Sequence, residues 1–135
     1  MVIYFFIMNN LYKDILLDHY RNPRNKGTLE KPDFASGDYN PSCGDGVSMQ
    51  GIVENGAIKE VMFQGSGCVI SQATASLLTQ AVVGKAIDDV LAFSNEDIQK
   101  MIGMQLGPVR LKCALLPLYV LQKGLQEYRN NVKSR

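Results

Sequence analysis

Between Leu11 and Tyr20, apolar and aromatic positions recur at steps of three and four: Leu11, Ile15 and Leu16 alternate with Tyr12, His19 and Tyr20. That period predicts a helix over LYKDILLDHY, opened by Asn10 as its cap. It stops ahead of Pro23, because a proline disfavours helical geometry in the residue before it. NPRNKG then reads as a turn. Further on the period shortens towards two. VSMQGIV (47–53) and AIKEVMF (57–63) each have the length of a strand, and Glu54, Asn55 and Gly56 between them give a hairpin signal. Residues 34–39 are a candidate third strand. VISQATASLLTQAVV, small and apolar throughout, suits a buried helix that closes at Gly84. Ser94 followed by Asp97 marks a capped start for the helix of EDIQKMIG. KCALLPLYVLQKGLQEYRNNV is a long amphipathic pattern with Pro117 inside it. Proline is tolerated in a first turn, so this helix is predicted to begin close to Cys113. Helix, antiparallel strands, then helices describe an α+β domain.

Composition changes little in that picture. A chain of 135 residues with 46% hydrophobic and 20% charged residues fits one globular domain. Fourteen basic against thirteen acidic side chains leave a net charge of +1 and form no stripe, which sets nucleic-acid binding aside. The apolar run VIYFFIM at residues 2–8 falls well short of the roughly 20 residues a membrane span needs. It also lacks the basic start and small-residue cleavage site of an export signal. Neither a membrane nor a secretory role is expected. Residues 1–9 are therefore set apart as an N-terminal extension with two readings open, a start at Met8 that leaves residues 1–7 upstream or an added terminal strand, and residues 10–135 form the single domain.

The candidate chemistry lies in NPSCGDG, residues 40–46, which places Cys43 and Asp45 two apart in a segment expected to be neither helix nor strand. Cys68 follows Gly65-Ser66-Gly67 at a predicted helix start, and Cys113 stands at another. An odd number of cysteines without a secretory signature argues for reduced thiols in the cytoplasm. A helix N-terminus favours thiolate, and Arg110 and Lys112 push Cys113 the same way. Three thiolates and a carboxylate, Cys43, Asp45, Cys68 and Cys113, make four ligands, the number that suits tetrahedral zinc or the open edge of an iron–sulfur cluster. Each alone has a plainer reading: Cys68 as core, Asp45 as a turn former, and His19, the only histidine, as a packing residue or a stand-by ligand. The metal reading requires folding to gather 43, 45, 68 and 113 into a narrow, solvent-accessible pocket.

DHYRNPRNKG, NPSCGD, GSGCVISQATASLLTQAVVGK and RLKCALL together resemble the U-type iron–sulfur cluster scaffold family, which includes IscU, the amino-terminal domain of NifU, and SufU. The resemblance runs from about Leu11 to the end of the last helix. It implies a three-stranded antiparallel sheet with helices packed against it, with Cys43, Asp45, Cys68 and Cys113 at one end. It further implies persulfide sulfur accepted on Cys113 from a cysteine desulfurase, a [2Fe-2S] cluster assembled there and passed to client apo-proteins, and zinc as an alternative occupant. On that reading the chain is a scaffold without turnover of its own. A rival reading is the zinc-dependent sulfurtransferase role of SufU-type members. Lys112, where IscU-type members have histidine, resembles SufU, yet the step from Cys68 to Cys113 leaves no room for the insertion usual in SufU. LGPVRLK only partly resembles the motif that engages a dedicated heat-shock chaperone, so dependence on that partner is not expected.

Overall fold

The computed structural model describes residues 2–42 and 44–133, with the first nine of these and the last described by their backbone alone. Eight elements follow in order: α1 (Val2–Arg21), β1 (Phe34–Asn40), β2 (Asp45–Glu54), β3 (Ala57–Ser66), α2 (Val69–Val82), α3 (Ile87–Leu91), α4 (Asn95–Ile102) and α5 (Pro108–Lys133). The strands form one antiparallel sheet in the order β1-β2-β3. At the β2–β3 turn, Asn55 and Gly56 both have positive φ, 54° and 76°. That is the backbone twist a tight hairpin requires and that asparagine and glycine tolerate.

The alternation along β2 and β3 turns Val47, Met49, Ile58, Val61 and Phe63 to one face. There they meet Leu78 and Val82 of α2 and Leu118, Leu121 and Leu125 of α5 in a single buried cluster. α2 and α5 thus cover one face of the sheet, while α1 packs on α2 and α4 on α5. The free edge of β3 is closed by residues 25–27: the Gly27 N–H donates to the Phe63 carbonyl and the Phe63 N–H to the Asn25 carbonyl, both at 2.9 Å. Covering an edge in this way removes a template for unwanted pairing.

Three sequence expectations change. The first helix does not open at Asn10 but runs from Val2, so the apolar run continues α1 and is not a strand. The segment 40–46 is not wholly irregular, because Asn40 ends β1 and Asp45 begins β2, paired with each other across a four-residue loop. The last helix starts at Pro108, and Pro117 lies well inside it. Proline at a first helical position sacrifices no bond. At 117 it withdraws the N–H that would reach the carbonyl of Cys113.

His19 settles into the packing role. It is 6% exposed, and its Nδ1 lies 2.7 Å from Ser76 Oγ on α2, which also accepts from the Arg24 N–H at 2.9 Å. Burial holds its pKa below the ordinary 6.5; the Arg24 charge adds to this and the Asp18 carboxylate opposes it. The unfolded chain therefore takes up a proton on His19 at a higher pH than the folded one. The neutral ring's contribution is complete above about pH 7 and declines as pH falls through 6.5 towards the folded value. Denaturant titrations between pH 7.5 and about pH 5.5 are expected to show falling stability. The slope in that window should vanish in His19→Gln; an unchanged slope would assign it to other groups.

Candidate metal centre

β3 ends at Ser66, Gly67 makes the corner, and Cys68 caps α2. The cap is a sulfur one. Cys68 has extended backbone geometry, and its Sγ accepts the Ser71 N–H at 3.4 Å, taking the place an oxygen usually fills at an N-cap. The same sulfur lies 3.4 Å from Asp45 Oδ2, to which its proton is donated, while Asp45 Oδ1 accepts the Cys68 N–H at 2.7 Å. Asp45, the first residue of β2, is 0% exposed. A carboxylate so completely buried requires partners, and Cys68 supplies both.

Gly67 allows this approach. Its φ is +142°, and a Cβ added there would fall on Asp45 Oδ1. No side chain can occupy that position while the carboxylate keeps its contact with Cys68.

Cys113 reaches the same place from α5. It is 5% exposed, and its sulfur, the Cys68 sulfur and an Asp45 oxygen all lie within 4.8 Å of one another. Bonds of 2.0–2.3 Å put the donors around a tetrahedral zinc about 3.8 Å apart, so closing onto an ion asks for movement of the order of 1 Å. Two thiols and a carboxylate oxygen are a suitable donor set for zinc or for iron in a cluster. The three donors come from three elements, β2, the start of α2 and the second turn of α5.

Two expectations about the site need correcting. Cys113 is not at a helix start, because five residues of α5 precede it and helix-end electrostatics fade within the first turn. Arg110 and Lys112, both exposed, remain as cations nearby in sequence, and the cysteine that stands at a helix start is Cys68. The site is also less open than expected: Asp45 and Cys113 are buried, and Cys68 is the partly exposed member. Cys43 lies outside the described residues. His19 is not among the grouped ligands, and its ring is engaged with Ser76. Sequence reading assigned no task to Gly67, Ser71 or Gln72. A glycine immediately before a capping residue was the available signal for the first of them.

The profile of the NifU-like N-terminal domain family matches residues 11–135. The chain belongs to that family. Among relatives of this NifU-like domain, the zinc-dependent sulfurtransferase SufU of Bacillus subtilis is 34% identical, with 87% of this chain and 91% of SufU aligned. The iron–sulfur cluster assembly scaffold protein IscU of Escherichia coli is 31% identical over 92% of this chain and 98% of its own. Among solved structures, a putative iron–sulfur cluster assembly scaffold for the SUF system from Fervidobacterium islandicum superposes with a TM-score of 0.70 at 25% identity, covering 82% of this chain and 93% of that one. A hypothetical protein reaches 0.78 at 30% identity, covering 87% and 98%. The three-stranded sheet and its packed helices are the fold that the resemblance implied. Among the described residues, no helix is long and apolar enough to cross a membrane.

Gly67→Ala should therefore cost more than its backbone angle alone. We expect a loss of about 2 kcal/mol or more in denaturant titration, as for other substitutions that force a buried charged group from its partners. Gly56→Ala, whose methyl would meet nothing within 4 Å at φ +76°, should lose only about 1–2 kcal/mol of left-handed strain. Equal losses would mean that the Asp45 contact contributes nothing.

Proposed function

We propose that this chain is an iron–sulfur cluster assembly scaffold, accepting persulfide sulfur from a cysteine desulfurase and building a [2Fe-2S] cluster for transfer to client apo-proteins. The observation that supports this best is the approach of Asp45, Cys68 and Cys113 to within 4.8 Å from three separate elements. Cys43 is the fourth ligand in this reading. It stands two residues before Asp45 in the sequence, and chain geometry limits the Cα atoms of any such pair to about 7 Å. Loop residues Ser42 and Gly44 donate their N–H groups to the Asn40 side chain and carbonyl, at 3.1 and 2.9 Å.

Cys113 is assigned as sulfur acceptor. Its thiolate attacks the outer sulfur of the donor's persulfide, the donor's S–S bond breaks, and the donor leaves as a thiolate while Cys113 becomes the persulfide. Arg110 and Lys112 precede it in α5 as the cations nearest to it in sequence. Asp45 is assigned to release. Oxygen is a harder and weaker partner for iron than sulfur, and the Cys68 N–H already holds Oδ1, leaving Oδ2 to bind. One weak ligand among four suits a protein that gives its cargo away. An odd number of cysteines suits a reducing compartment such as the cytoplasm.

The second reading, a zinc-dependent sulfur relay, is favoured by Lys112 and by the similarity to SufU. There zinc would restrain the same thiols until the desulfurase docks. The alignment with SufU spans 135 positions but takes in 87% of this chain, so SufU carries residues that this chain lacks. That difference favours the scaffold.

Anaerobic reconstitution with ferrous iron, cysteine and a desulfurase separates the two. The scaffold reading expects a coloured cluster that moves to an apo-ferredoxin. Zinc-dependent stimulation of the desulfurase with no stable cluster would overturn it. Asp45→Ala should retain the cluster and slow its transfer by about ten-fold, in the range that ligand-sphere changes produce. A transfer rate equal to the parent's would remove Asp45 from the release step.

A further inference from the structure

Behind Cys68 lies a second layer of polar groups that the metal reading does not use. Ser71 is 0% exposed, and its hydroxyl donates to the Cys68 carbonyl at 3.3 Å, while its N–H caps the Cys68 sulfur. Gln72 is 7% exposed and donates from Nε2 to Ser71 Oγ at 3.1 Å. Its Oε1 is buried with no hydrogen-bond partner among the described residues. A buried amide left half-satisfied is a cost that an apolar side chain of equal size avoids. β3 makes room for it, since Gly65 faces the amide and a Cβ there would come within 3.1 Å of Oε1.

We infer that Ser71 and Gln72 are positioning residues for the Cys68 ligand, acting as one chain in which Gln72 fixes the Ser71 hydroxyl and Ser71 fixes Cys68. This rests on the reading of Asp45, Cys68 and Cys113 as a metal site. The physical content is restriction. Asp45 holds the N–H and sulfur of Cys68 from the sheet side, and Ser71 holds its sulfur and carbonyl from the helix side. With both sides held, the sulfur points to where Cys113 lies. Outer partners of this kind orient ligands before metal arrives, and their loss ordinarily costs metal affinity.

Cobalt(II) titration tests this, because cobalt gives a sulfur-to-metal charge-transfer band whose energy and intensity report ligand placement. Ser71→Ala keeps the N–H cap and removes only the hydroxyl, and Gln72→Met keeps the volume and removes the amide. Each is expected to weaken cobalt binding by about ten-fold and to alter the band. The double variant should be little worse than either single one, as for groups acting in series. Ser76→Ala, equally buried on the same helix but facing His19, serves as the control for helix packing and should leave affinity and band unchanged. Ser71→Ala and Gln72→Met proteins that bind cobalt like the parent would overturn the inference while the site reading stands. A parent that shows no sulfur-to-cobalt band at all would overturn both.

Discussion

A carboxylate with no solvent contact, at the first position of a central strand, is the constraint around which this molecule is arranged. Asp45 is tolerable there because Cys68 offers it an N–H and a thiol, and Cys68 can do so because Gly67 carries no side chain. These contacts tie the start of β2 to the start of α2 across the corner that follows β3. The sheet and both covering helices then pack from that corner outward, through Val47, Met49 and Phe63 against α2 and α5. Polar site and apolar core share the same elements: Asp45 and Val47 point to the same face of one strand.

This joint has a chemical consequence. The group that stabilises this corner is also a candidate ligand, so under the proposed function metal and the Cys68 thiol would compete for Asp45 Oδ2. Binding there would exchange a thiol proton and a hydrogen bond for a metal–ligand bond, and release would restore them. A cargo site whose empty state has its own internal contacts loses its cargo at smaller cost than one that would be left with bare charges. The partial exposure of Cys68, beside the buried Asp45 and Cys113, sets the side from which a partner can approach.

How much of this the sequence disclosed follows from the range over which each signal acts. Asn55-Gly56 is a local turn requirement, and the hairpin lies where it was read. Ser94 and Asp97 form the reciprocal cap expected of them. Where several elements decide together, local reading failed. VIYFFIM is apolar on every side and shows no helical period, yet it continues α1. Pro117, read as a first-turn residue, sits inside a helix that is held against the sheet by Leu118, Leu121 and Leu125, so packing outweighs the missing bond. The meeting of Asp45, Cys68 and Cys113 carries no spacing signal, because sequence steps of this length are set by topology; the placement of the cysteines at predicted element ends and the motif resemblance pointed to it. Ser71 and Gln72 stayed hidden among the small and polar residues of α2, where only coordinates separate a residue facing Cys68 from one facing His19.

X-ray absorption at the zinc edge of the loaded protein addresses the central claim most directly, since it counts donor atoms around the ion. Three sulfur neighbours near 2.3 Å and one oxygen near 2.0 Å are expected, with no imidazole scattering. Fewer than three sulfurs, or the outer-shell signature of a histidine ring, would contradict it, because His19 is the only histidine the chain has.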